Sequence, residues 1–142
     1  MTTTAADART LVIERDLAQP PAKVWRALTQ SALMADWLME NDFEPVVGRK
    51  FTLRSKPMPP QWDGLIHCEV LAVEPERRLS YAWCSMGVET VVAYTLTPTA
   101  GGARLRMEQS GFRPDQERNY QGAAYGWKAF LDGLERVVGA VE

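Results

Sequence analysis

Near the C-terminus, Tyr120, Ala123, Ala124, Trp127, Phe130, Leu131, Leu134 and Val138 recur at intervals of three and four. That spacing places them on one face of a helix and on no single face of a strand. Pro114, with Asp115 and Glu117 close behind it, marks the start. Proline suits a first helical turn, and acidic side chains favour the positive end of the helix dipole. A helix of about 25 residues is about 38 Å long at ~1.5 Å per residue. An apolar stripe of that length needs a large surface to cover, and the rest of the chain must supply it.

The patterns upstream supply a sheet. In "RTLVIERDL", Leu11, Ile13, Arg15 and Leu17 fall on one side of an alternating, half-buried strand. Pro20 and Pro21 then stop the strand and start a short helix with Val24, Trp25 and Leu28 on its apolar side. Ser31 reads as the N-cap of a second short helix that buries Leu33, Met34, Trp37 and Leu38, so the two form a helical hairpin. From Asp42 onward, "DFEPV", "RKFTLRS", "LIHCEVLAVE", "RLSYAWC", "VETVVAYTLTP" and "ARLRMEQSGF" read as strands separated by short turn segments. Connections this short join antiparallel neighbours, because parallel pairing needs a long crossover. With the first strand the sheet has about seven strands and is about 29 Å wide at ~4.8 Å per strand.

A twisted sheet of that width curls, so a straight helix laid across its concave side meets the rim strands and leaves space over the middle ones. Strand alternation lines that space with Phe51 and Leu53, with Leu79, Tyr81 and Trp83, with Val92, Tyr94 and Leu96, and with Leu105, Met107 and Gln109. Trp127 and Phe130 face them from the helix. Aromatic walls favour an apolar or aromatic guest. Trp62 stands in the proline-rich loop "KPMPPQWDG", where a large aromatic reads as a lid or a contact surface. Gln109 can orient a ligand by hydrogen bonding or cap the end of the space. Arg15 shares the inward side of its strand, where a guanidinium must find a carboxylate, reach solvent at the rim, or anchor an acidic group of a ligand.

Composition narrows the function classes. The 142 residues fit one domain with a single core, and the first eight read as a flexible tail. The net charge is −2 with no basic run beyond Arg77 and Arg78, so no nucleic-acid partner is expected. The apolar runs are far short of the ~20 residues of a membrane span, and "MTTTAADART" lacks the features of a signal peptide, so the expected location is the cytoplasm. Cys68 and Cys84 read as reduced, buried thiols, with a redox pair as the alternative. His67 is the only histidine and reads as an ordinary strand residue, so neither a metal nor a cofactor is expected. No paired carboxylates, nucleophile with an adjacent base, or phosphate loop emerges, so no catalytic residue is assigned. Lys128 and Asp132 read as an i,i+4 pair on the solvated face of the last helix.

Five stretches in order, "QPPAKVWRALT", "SALMADWL", "EVLAVEPERRLSYAW", "YTLTPTAGGARLRMEQSGF" and "YGWKAFLDGLERV", resemble the Bet v 1-like or START-like (SRPBCC) superfamily. Within it they are most similar to bacterial domains related to the activator of Hsp90 ATPase. The resemblance covers the chain from about Arg9 to Val138 and departs at Cys68, near where the family pattern usually has a glycine. It implies an α+β helix-grip fold, with an antiparallel curved sheet, a helical hairpin and a long C-terminal helix over a hydrophobic cavity. It also implies that the hairpin carrying Trp37 forms part of the cavity entrance. A shared fold fixes little about activity. Three functions therefore follow: a module that encloses a hydrophobic small molecule, a cochaperone-like module that contacts an Hsp90-type ATPase, and a cyclase- or hydrolase-type enzyme acting on a hydrophobic substrate.

Overall fold

The structure, a computed structural model, describes residues 9–57, 60 and 62–141. The tail expected over residues 1–8 lies outside that range. The chain runs β1 (Arg9–Leu17), α1 (Pro21–Thr29), α2 (Ser31–Trp37), β2 (Glu40–Asn41), β3 (Lys50–Arg54), β4 (Leu65–Glu74), β5 (Arg78–Ser85), β6 (Val88–Thr99), β7 (Gly102–Phe112), a 3₁₀ turn (Pro114–Gln116) and α3 (Glu117–Ala140). The described strands form one curved, antiparallel sheet in the order β1-β7-β6-β5-β4-β3-β2. The 24 residues of α3 give it a length of about 36 Å, enough to cross that sheet. This is the helix-grip arrangement expected from the sequence.

Register puts the alternating apolar residues in rows that cross the sheet. Ile13 lies opposite Met107, Met107 opposite Tyr94, and Tyr94 opposite Leu79. Trp127, Leu131, Leu134 and Val138 of α3 are buried above those rows. Two clamps hold edge strand β1 to the helix: Arg9 pairs with Glu117 and lies over the Tyr120 ring, and Arg15 pairs with Asp132. Among the described residues, no helix is long and apolar enough to cross a membrane.

Three local expectations are corrected. The strand expected over residues 42–46 is absent, and pairing with β3 ends at Asn41. There the Asp42 carboxylate accepts the Thr52 N–H at 2.8 Å, and Pro45 has no N–H to donate. Ser31 is the first residue of α2 and not its cap; its hydroxyl donates to the Asn41 carbonyl at 3.1 Å while the Asn41 amide donates back to the Ser31 carbonyl at 3.1 Å. This exchange ties the hairpin to β2. Asp132 reaches across to Arg15 at 2.8 Å, with Glu135 3.7 Å from the same nitrogen, so it serves the β1 clamp and not a pair with Lys128 along the helix.

Candidate functional site

Most of the bowl is filled by the protein itself. Phe43, Phe51, Tyr81, Tyr94 and Trp37 pack edge-on or tilted, with ring centroids 5.1 to 6.4 Å apart, and all five are buried. Met107 is fully buried beneath them. Trp37 donates its indole N–H to the Ala27 carbonyl at 2.8 Å, joining the two short helices. Four residues anticipated as cavity lining, Phe51, Tyr81, Tyr94 and Met107, therefore sit in a packed interior, as does Trp37.

The Tyr81 and Tyr94 hydroxyls are 2.7 Å apart and bonded to each other. Tyr94→Phe would leave the Tyr81 hydroxyl buried without a partner, an expected loss of about 1–3 kcal/mol in urea unfolding. The Tyr81→Phe, Tyr94→Phe double variant should lose less than the sum of the two single variants, since it removes both polar groups together. Burial raises both phenol pKa values, and the neighbouring tyrosine adds to the effect at Tyr81. Burial likewise pushes up the Cys68 thiol, with smaller contributions from Cys84 and Asp42. The fold thus holds neutral forms. The stability they contribute is full below the ordinary values of about 8.5 (thiol) and 10 (phenol) and falls as pH rises beyond them. The urea midpoint should drop between pH 8 and pH 10.5, and drop less in the double variant.

Space remains at one end of the sheet, where the last turns of β5 and β7 face the first half of α3. A cleft of about 350 Å³ is walled by Trp83, Ser85 and Gln109 from the sheet, by Ala123, Trp127 and Phe130 from the helix, and by Met39, Trp62 and Ile66 at its sides. A neighbouring space of about 660 Å³ shares Trp62, Trp83, Ser85 and Gln109 and extends to Val88, Phe112 and Arg118. A groove of about 790 Å³ at the other end of β5 is bordered by the charged turn Glu74, Glu76 and Arg77. Another, of about 430 Å³, lies between α1, α2 and the end of α3. Neither has aromatic walls.

The polar groups of the cleft are largely bonded to one another. Thr90 donates its hydroxyl to the Trp83 carbonyl at 2.8 Å, and Gln109 donates its amide N–H to the Thr90 hydroxyl at 2.9 Å. The Gln109 carbonyl oxygen accepts the Trp127 indole N–H at 2.8 Å. This buried chain fixes the Trp127 ring, which packs at 5.3 Å from Trp83 and 5.5 Å from Phe130. Trp62 donates its N–H to Ser85 Oγ at 3.0 Å and to the Leu65 carbonyl at 3.3 Å, and Ser85 donates to that same carbonyl at 3.0 Å. With these groups engaged, the cleft presents mainly ring faces and methyl groups.

The structure thus gathers Trp62, Trp83, Gln109, Trp127 and Phe130 around one hollow. Gln109 there orients Trp127. Arg15 stands apart, held by the carboxylates of α3 at the β1 edge. Met39, Ile66 and Ser85 also border the cleft and were not anticipated. Ser85 has the parity of Trp83 and was within reach of alternation, whereas Ile66 lies in a segment apolar on both faces. His67 is exposed on the outer face; Cys68 and Cys84 are free thiols, Cys68 buried as expected and Cys84 only half-buried, because it faces outward. Cys68 lies opposite Trp83 in the ladder, so the two cysteines, one residue out of step, point to opposite faces of the sheet. Among the described residues, no group of three or more His, Cys, Asp or Glu side chains could hold a metal ion.

The sequence model of the family described as "Activator of Hsp90 ATPase homolog 1-like protein" matches residues 18–139. The chain belongs to this family. Among solved structures, this AHSA1-like chain is similar to protein MLL2253 from Mesorhizobium loti, at 48% identity and a TM-score of 0.88, over 94% of this chain and 99% of that one. It is also similar to protein BH1534 from Bacillus halodurans, at 25% identity and a TM-score of 0.78, over 92% and 96% of the two chains. Protein NE0264 from Nitrosomonas europaea, at 21% identity, a TM-score of 0.80 and coverage of 97% and 98%, shares the fold. A comparison with curated proteins found no match. The family match and these structures agree with the Bet v 1-like superfamily and the helix-grip fold that the sequence resembles.

Proposed function

We propose that this AHSA1-like protein binds an apolar or aromatic small molecule in the cleft between β5, β7 and the first half of α3. The observation that carries the reading is the aromatic hollow itself. It is left open beside an otherwise packed interior, with the polar atoms of Gln109, Ser85, Trp62 and Trp127 already engaged. Its volume falls at the small end of the ~300–1,000 Å³ typical of small-molecule sites. A ligand that binds only the folded state raises its stability by about 2.7 kcal/mol at a concentration 100 times its Kd. A panel of flavonoids, polyketides and lipids should therefore include compounds that raise the melting temperature and quench tryptophan fluorescence. A panel that moves neither signal overturns the proposal.

A second reading, contact with an Hsp90-type ATPase through the outer surface, is favoured by the family match over residues 18–139. It expects the purified protein to change the ATPase rate of a bacterial Hsp90, and an unchanged rate at saturating protein removes it. An enzyme reading has less support, because among the described residues of the cleft the polar side chains are bonded to one another.

A further inference from the structure

Three indoles stand around the cleft, and two of their N–H groups are taken, Trp62 by Ser85 and Leu65 and Trp127 by Gln109. The N–H of Trp83 meets no acceptor among the described residues, and it is not among the buried polar atoms left without a partner, so solvent can reach it. An indole N–H donates and never accepts. Its ring is held in place, stacked on Tyr81 at 6.5 Å with 14° between the planes and packed against Trp127. Across the cleft, Gly122 and Gly126 lie one turn apart on α3 and both border the hollow. A Cβ at either position would meet nothing within 4 Å. Glycine weakens a helix interior relative to alanine, so the effect of two of them here is clearance over the cleft.

Building on the binding proposed above, we infer that the cleft takes a small, flat, apolar ring compound with one hydrogen-bond acceptor. The acceptor sits on the Trp83 N–H, and the ring lies beneath the bare helix surface at Gly122 and Gly126. A matched pair of probes tests this: 1-tetralone and tetralin share a bicyclic frame, and only the ketone carries an acceptor. By calorimetric titration, the protein should bind tetralone about three- to tenfold more tightly than tetralin, the ratio expected of one net hydrogen bond. Trp83→Phe keeps an aromatic ring and removes the donor, so the ratio should fall to about one, whatever the smaller ring does to the affinity of both probes in common. The Gly122→Ala, Gly126→Ala double variant should melt higher than the parent protein. It should also bind anthrone, the three-ring ketone, about tenfold or more weakly, as added methyl groups in a pocket do, with a smaller loss for tetralone.

Equal affinity for the two bicyclic probes, or a preference that survives Trp83→Phe, overturns the assignment of the donor while leaving the cleft as a binding site. An alanine variant that keeps its anthrone affinity overturns the role of the glycines. Failure of the parent protein to bind any of these probes overturns this inference, and failure across the wider panel removes the cleft reading as well.

Discussion

Trp127→Ala is expected to cost about 3–5 kcal/mol of folding free energy, the range for removing a large aromatic side chain from a packed site. The indole is 2% exposed and touches Trp83, Tyr94 and Phe130, so its loss unpacks the contact between α3 and the middle of the sheet. Its N–H is the end of the chain running through Gln109 and Thr90, and truncation leaves the Gln109 carbonyl oxygen without its donor. The cleft lies alongside, so water can enter and satisfy that oxygen, which keeps the loss within the stated range. Urea unfolding monitored by circular dichroism provides the measurement. A loss below about 1 kcal/mol, the scale of surface substitutions, would mean that the helix is not anchored at this residue.

Gly64→Ala is expected to cost about 2–4 kcal/mol, combining backbone strain with overpacking. Gly64 has φ +81°, in the left-handed region, and a Cβ there would stand 2.5 Å from the Ser55 carbonyl oxygen and 3.0 Å from the Pro57 nitrogen. Both are backbone atoms and cannot swing aside as a flexible side chain would. The Gly64 carbonyl also accepts the Ser55 N–H at 2.8 Å, so this contact closes the base of the loop that carries Trp62. A shift there moves the Trp62 indole off Ser85. The variant should therefore show both a lower urea midpoint and weaker binding of any probe that the parent protein takes. Trp62→Phe, which leaves the loop backbone alone, should reproduce the binding change with less loss of stability. A Gly64→Ala protein as stable as the parent would contradict the geometry described for this turn.

The expected and observed architectures agree where geometry alone decides. Residues two apart on a strand share a face whatever their neighbours, so Tyr81, Trp83, Tyr94, Met107 and Gln109 all point inward as alternation requires. Which of them fill the bowl and which border a hole depends on side chains that meet from distant segments, and no periodicity encodes that. Phe43 shows the difference: it follows the end of β2 and folds in against Phe51 and Tyr81, closing space that the strand pattern left open. Alternation marks Gln109 as an inward polar residue, but its partners Thr90 and Trp127 lie 19 and 18 positions away. The inward side of β1 requires a counter-charge for Arg15, and the carboxylate comes from Asp132, 117 positions along the chain. Gly122 and Gly126 stand out in no sequence pattern, and only the fold places them across the cleft from Trp83.

The ring cluster that keeps this molecule folded and the walls that would meet a guest overlap at little more than two tryptophans. Drift in the partly exposed surrounding positions, Met39, Ser85 and Ala123 among them, can reshape the chamber while Phe51, Tyr81, Tyr94 and Met107 go on holding the body together. Descendants of one such ancestor would therefore differ in the shape of this cleft with little penalty in thermal robustness.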